Sequence, residues 1–170
     1  MSIPYLIKPV TMSVITSMDA LSANTTWRND EEIFKLLLTL REKSREKVLV
    51  QTRKEVGEIF NLAKQGSLET FYNNEISLRQ ALKYPPFVIF IHLTWQGNQV
   101  TVNKIKEVVM DKLKDYPLTF YSSPHNNDIK SISYGLLRQP TSNWPDKELL
   151  NCLKSLPLSV RVMINPDRIV

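Results

Sequence analysis

The sequence predicts a mixed α/β protein of the α+β class. Three observations carry this. Residues 87–95 alternate an unbroken apolar face (Phe87, Ile89, Ile91, Leu93 and Trp95) with Val88, Phe90, His92 and Thr94, which is the period of a strand. Asn29 to Leu40 instead places Ile33, Leu36, Leu37 and Leu40 on one face, which is the period of a helix. From residue 85 onward the signals run strand, helix, strand, strand, helix, strand. That is the split β-α-β order of ferredoxin-like domains.

Taken in order, Val10 to Met18 predicts a strand, with Val10, Met12 and Val14 alternating against Thr11 and Ser13. The next helix begins at Asn29, which is placed to cap it, with Glu32 at capping-box spacing. Asp30, Glu31 and Glu32 suit the positive end of the helix dipole. Phe34 and Leu38 widen the apolar stripe, so this helix is expected to pack on two sides. Its tail, Arg41 to Lys47, is a charge run of mixed sign that fits a solvated helix end. Val48 to Val50 predicts a short buried strand.

A helix over Glu55 to Gln65 ends at Gly66, and Ser67 caps the next, which extends to about Lys83. Leu68, Phe71, Leu78 and Leu82 share one side of it. Glu75 and Arg79 stand four apart, close enough to pair. Pro85-Pro86 ends the helix. After the strand at 87–95, Gln96-Gly97-Asn98 turns the chain into a helix over Gln99 to Tyr116, with Val102, Ile105, Val109, Leu113 and Tyr116 inward. Leu118 to Ser122 is a strand, Pro124 to Asp128 a polar loop, and Ile132, Tyr134 and Leu136 alternate in another strand. Pro145 is expected in the first turn of a helix with Leu149, Leu150 and Leu153 inward. Leu158, Val160, Val162 and Ile164 alternate in a last strand.

The chain has 170 residues, enough for one ordinary domain or two small ones with a core that needs no staples. Only four are glycine: Gly57, Gly66, Gly97 and Gly135. Average usage would give about twelve. Phosphate-cradling loops need clustered glycines, so both G-x-x-x-x-G-K-[ST] and G-x-G-x-x-G are excluded. The one cysteine, Cys152, has no partner for a disulfide or a zinc site. No apolar run reaches the roughly 18 residues of a membrane span, and no secretory signal is read at the start. A cytoplasmic protein without a membrane partner is expected. The net charge of +5 is compatible with phosphate neutralisation and equally with an ordinary basic excess.

Few side chains suggest catalysis. His92 lies in a strand and His125 in a loop, neither beside a second ligand at metal spacing. A structural or surface role fits His92, a polar turn fits His125, and a small core position fits Cys152. No local nucleophile motif surrounds a serine or the cysteine. The most suggestive grouping is Arg79, Lys83, Tyr84 and Phe87 at a helix-to-strand corner. Cations there can hold phosphates and an aromatic ring can stack on a base. The plain alternative is that Tyr84 and Phe87 pack the corner while Arg79 pairs with Glu75.

At this corner the sequence resembles a known family. Phe71 to Phe87 reads F-Y-N-N-E-I-S-L-R-Q-A-L-K-Y-P-P-F. It resembles the signature F-Y-x-x-E-x-x-L-R-x-x-L-x-Y-P-P-F of the primosomal replication-restart helicases and matches it at every fixed position. Trp27 to Leu37 is similar to the family's F-R-x-x-E-R-x-F-Q-L-L. Val48 to Thr52 looks like its V-L-I-Q-T strand, and Val160 to Pro166 resembles its terminal strand. The resemblance runs from about Val10 to the end.

The family members are ATP-dependent 3′–5′ DNA helicases that recognise abandoned forks and reload the replicative helicase. The resemblance implies only their C-terminal part. Residues 1–65 would be a remnant of the second helicase lobe. Residues 66–170 would be the C-terminal domain, with a linker helix at 67–83 and an S10-like βαββαβ unit at 85–166. The family's first ATPase lobe, zinc insertion and fork-recognition domains have no counterpart in this sequence, so no ATP, magnesium or zinc site is expected. The family's arginine-finger motif falls on Thr39 to Glu46, where both of its glycines are missing. No finger role is carried onto Arg41, Lys43 or Arg45.

The expected function is therefore a DNA-binding or scaffold module of replication restart, without ATPase activity of its own. The expected partners are forked or single-stranded DNA, and a missing helicase lobe or primosome and single-strand-binding proteins. The candidate DNA contacts are Arg79, Lys83 and Tyr84, with Lys104 and Lys106 as further phosphate contacts. The alternatives are a subunit completing a split helicase and an S10-like module that engages RNA or protein.

Overall fold

A computed structural model describes residues 8–23, 26–53, 57–123 and 131–169. The chain is an α+β protein that divides into two compact units, one up to Leu78 and one from Arg79 to Ile169. The division falls between Leu78 and Arg79, inside a helix, thirteen residues beyond the boundary that the sequence predicts between Gln65 and Gly66. The loop expected at Pro124 to Asp128, with His125, lies outside the described residues, as do Glu55 and Val56.

The first unit opens with β1 (Val10–Ile15) and α1 (Met18–Ser22), continues through α2 (Asn29–Lys43), β2 (Ser44–Val50) and α3 (Glu58–Gln65), and takes in most of α4 (Leu68–Ala81). β1 and β2 pair in parallel, with Val10 opposite Ser44 and Val14 opposite Leu49. The Ser13 and Ser44 hydroxyls bond across the pair at 2.7 Å. The predicted first strand is too long. It stops at Ile15 because Met18 turns into a helix, where its side chain is buried in the core. The Asp19 carboxylate accepts from the Thr52 hydroxyl at 2.8 Å and from the Arg53 N–H at 3.0 Å, fixing the end of β2 against α1.

α2 is the helix that the sequence predicts, with Ile33, Phe34, Leu36, Leu37 and Leu40 buried. The capping box does not form. Arg28 takes the cap position, no side chain caps there, and Asn29 is already helical. The acidic first turn still complements the dipole. The charge run also departs from expectation. The helix ends at Lys43 and residues 44–50 extend as β2, a seven-residue strand rather than a three-residue one. β2 is not buried, and Leu49 lies in the open. α3 ends at Gly66, whose φ of +74° makes it the left-handed C-cap. The core gathers Met18, Ile33, Phe34, Leu37, Leu62, Ala63 and Phe71. Phe34 and Phe71 stack at 3.9 Å between ring centres. Of the four apolar residues expected to face inward from α4, only Phe71 is buried; Leu68, Leu78 and Leu82 are about half exposed.

The second unit comprises β3 (Val88–Gly97), α5 (Gln99–Lys112), β4 (Leu118–Ser123), β5 (Ser131–Pro140), α6 (Lys147–Lys154) and β6 (Arg161–Ile164). Its sheet runs in the order β4-β5-β3-β6, and every neighbouring pair is antiparallel. This is the arrangement expected of the βαββαβ order. Ile91, Leu93 and Trp95 project from one face of β3 into a core completed by Val102, Ile105 and Val109 of α5, Leu113, and Leu149 and Leu153 of α6. The Trp95 indole donates to the Val102 carbonyl at 3.1 Å, so the buried ring leaves no donor unpaired.

Both helices of this unit are capped by side chains. Asn98 accepts from the Thr101 N–H at 2.8 Å. Asp146 accepts from the Glu148 and Leu149 N–H groups, both at 3.0 Å. Pro145 therefore precedes the cap instead of occupying the first turn, because Asp146 competes better for the free N–H groups. The last strand is shorter than its alternation suggests. Leu158 is fully exposed, and only residues 161–164 pair with β3.

Candidate nucleic-acid interface

α4 ends at Ala81, and the Tyr84 N–H closes back onto the Arg79 carbonyl at 2.8 Å. Lys83 takes the left-handed conformation, φ +52°, and its side chain is exposed. The chain reverses there and Tyr84 folds under the first residues of β3. Its ring meets Phe90 edge-on at 5.4 Å. Phe90 projects from the sheet face opposite α5 and α6, since Ile89 and Ile91 on either side of it face the helices.

That face holds more than the sequence suggests. Arg138 on β5 is the direct cross-strand partner of Phe90. Its guanidinium carbon lies 6.0 Å from the Tyr84 ring centre and 5.8 Å from that of Phe90, within reach of a cation–π contact. Arg138 is exposed. Arg138 is not among the contacts expected from the sequence, although the strand period marks it. Ile132, Tyr134 and Leu136 set a period of two, and Arg138 is the next residue on that face.

Further along the face three rings stand nearly parallel. Tyr121 and Tyr134 stack at 5.2 Å, Tyr134 and His92 at 5.6 Å, and Tyr121 and His92 at 6.1 Å. His92 is buried, and among the described residues neither ring nitrogen has a hydrogen-bond partner. Burial holds its pKa below the ordinary histidine value. The Tyr121 hydroxyl donates to the Ile169 carbonyl. Burial, with Tyr134 beside it, pushes the Tyr121 phenol up to about 12.

The five candidate contacts do not form one cluster. Arg79, Lys83 and Tyr84 share the corner and gain Arg138. Lys104 and Lys106 stand on α5, flanking the inward Ile105, on the opposite side of the sheet. The Lys106 ammonium lies 5.1 Å from the Phe120 ring centre, and Phe120 packs on the helix-side core. A single strand lying along the Tyr84 corner would not reach them without passing round the sheet.

Among the described residues no group of three His, Cys, Asp or Glu side chains is placed to hold a metal ion, and no helix is long and apolar enough to cross a membrane. Cys152 is a free thiol at the edge of the helix-side core. No protein-family model and no curated protein matches the chain.

Proposed function

We propose that the chain is a nucleic-acid-binding scaffold module, a C-terminal portion or shortened relative of the replication-restart helicases, with no ATPase activity of its own. The observation that carries this proposal is the corner at Lys83, Tyr84 and Arg138. Exposed Lys83 precedes Tyr84 in the turn, and exposed Arg138 of β5 lies 6.0 Å from the Tyr84 ring centre, a half-buried ring that meets Phe90 edge-on. A backbone phosphate needs such cations and an unstacked base needs such a ring. The corner lies at the end of the Phe71 to Phe87 stretch, where the resemblance to those helicases is strongest.

Fluorescence anisotropy with single-stranded, forked and RNA oligonucleotides tests this. Binding to DNA should weaken steeply as salt rises, because phosphate contacts release counterions. Preference for RNA over both DNA forms would favour an S10-like RNA-binding module instead.

One observation supports the alternative of a subunit completing a split helicase. β1 and β2 form a two-stranded parallel sheet that leaves Met12, Val14 and Leu49 exposed. Parallel sheets are ordinarily covered on both faces. Co-purification with a chain bearing the missing lobe, and ATP hydrolysis only in the pair, would establish that alternative.

A further inference from the structure

We infer that the first unit carries a second binding site, for a phosphorylated ligand with one flat apolar group, in the groove walled by α2, β2 and α3. This site stands on the geometry of that unit and does not depend on the Tyr84 corner. The groove has a volume of about 430 Å³, the size of a small-molecule site. Val48, Val50 and Phe60 give it an apolar floor.

Its rim is basic. Arg41 comes from α2, Lys47 from β2 and Lys64 from α3, and among the described residues Glu46 is the one carboxylate on the lining. Three separate elements therefore each bring a cation to one place. Among the described residues none of the three is held in an ion pair. Like charges gathered without partners repel one another, and an anion in the groove would relieve that repulsion.

The positive sign is local. A second groove in the same unit, of about 340 Å³, draws its charged lining, among the described residues, from Asp30, Glu58 and Glu75. The two grooves share α3, which gives Glu58 to one and Lys64 to the other.

Arg41 is also positioned. Its guanidinium occupies the space that a Cβ at residue 66 would fill, and residue 66 is glycine at φ +74°. The glycine lets the planar head lie on the backbone at the end of α3. A planar guanidinium can take phosphate oxygens two at a time. Beside it the half-buried Phe60 ring offers an apolar surface for a flat group.

The test is an amide-resolved NMR titration of the full chain with adenosine 5′-monophosphate, inorganic phosphate, adenosine and an unstructured oligothymidylate. The monophosphate should shift Val48, Phe60 and Lys64, and bind at least about ten-fold more tightly than phosphate or adenosine alone, because only it uses both rim and floor. The double variant Lys47→Glu/Lys64→Glu changes two exposed side chains. It should lose at least about ten-fold in monophosphate affinity and still unfold cooperatively. Arg41→Gln should act in the same direction.

A parallel loss of oligothymidylate binding in these variants would identify the phosphate as part of a strand. A loss confined to the monophosphate would identify a free ligand. Unchanged monophosphate affinity in both variants, or shifts that avoid the groove, would overturn the inference. Oligonucleotide binding that still depends on Arg138 would in that case leave the Tyr84 corner standing. Monophosphate binding in a chain that binds no oligonucleotide would do the reverse.

Discussion

His92 on β3 stacks on Tyr134 of β5, the rings 5.6 Å apart and within 10° of parallel. The two are diagonal neighbours, since Tyr134 pairs with Thr94 and His92 with Leu136. Contacts of this kind fix the register of a sheet. Here they also enclose an ionisable ring, 4% exposed, with both nitrogens unpartnered among the described residues.

The second unit should therefore lose stability in mild acid. Burial favours neutral His92, so its folded pKa lies below the unfolded value of 6.5. The stability it supports is complete above pH 6.5 and falls as the pH drops from there through the folded pKa. The rings that face it are those of Tyr134 and Tyr121. Urea unfolding at a series of pH values should show the fall. The variant His92→Phe should flatten it, keeping a ring in the stack and removing the proton site.

At the alkaline end the sign reverses. Tyr121 is raised from 10 to about 12, so its contribution is complete below pH 10 and is lost as the pH rises through 12. Tyr121→Phe should remove this alkaline loss. It also deletes the hydroxyl that bonds the Ile169 carbonyl, at a cost of about 1 kcal/mol. Hydrogen exchange should show faster opening near residue 169, with the amides of β3 unchanged.

Asp146→Ala should destabilise the second unit by about 1–2 kcal/mol, toward the upper end for a helix cap. Two N–H groups lose their acceptor. The Gln139 amide, buried and 3.3 Å from the other Asp146 oxygen, loses its partner as well. Asp146→Asn should recover most of the loss, because the amide oxygen can still cap. Chemical denaturation of the three proteins measures this.

Gly135→Ala should cost about 1–3 kcal/mol, as overpacking does. A Cβ there would stand 3.2 Å from the Leu118 Cδ1 and 3.5 Å from the Leu93 Cβ, both on the crowded helix side of the sheet. The glycine lets β4 and β3 side chains close over β5. A midpoint equal to that of the parent in thermal melts would show that the core has slack at this point.

The second unit was far more legible in sequence than the first. A sheet with helices on one side imposes period two on β3 and a helical stripe on α5, so Ile91, Leu93, Val102 and Val109 announce their own burial. The first unit gave less because its charges do not track its structure. Arg41 to Lys47 has the composition of a solvated helix end, yet it contains the change from α2 to β2. Backbone pairing with β1 decides that change, and pairing leaves no mark on a run of charges. Asn29 resembled a cap because it has a capping side chain, while its place one residue inside the helix depends on the turn at Thr26 to Asn29.

The candidate site was half legible. Lys83 and Tyr84 are neighbours in sequence and were found together. Arg138 is more than fifty residues away and joins them only through the β3–β5 register. Lys104 and Lys106 carry the right charge, but α5 places them on the other side of the sheet.

The most direct test of the proposed function is the affinity of the full chain for single-stranded DNA across a salt series, for the parent, Arg138→Gln and Tyr84→Ala. If the corner binds nucleic acid, parent affinity falls log-linearly with salt, and Arg138→Gln lowers the slope by about 0.7, the loss of one phosphate contact on a single strand. Tyr84→Ala weakens binding by about 1–3 kcal/mol at every salt concentration, as loss of a stacking ring does. An affinity that does not change with salt, or that neither variant alters, would contradict the proposal.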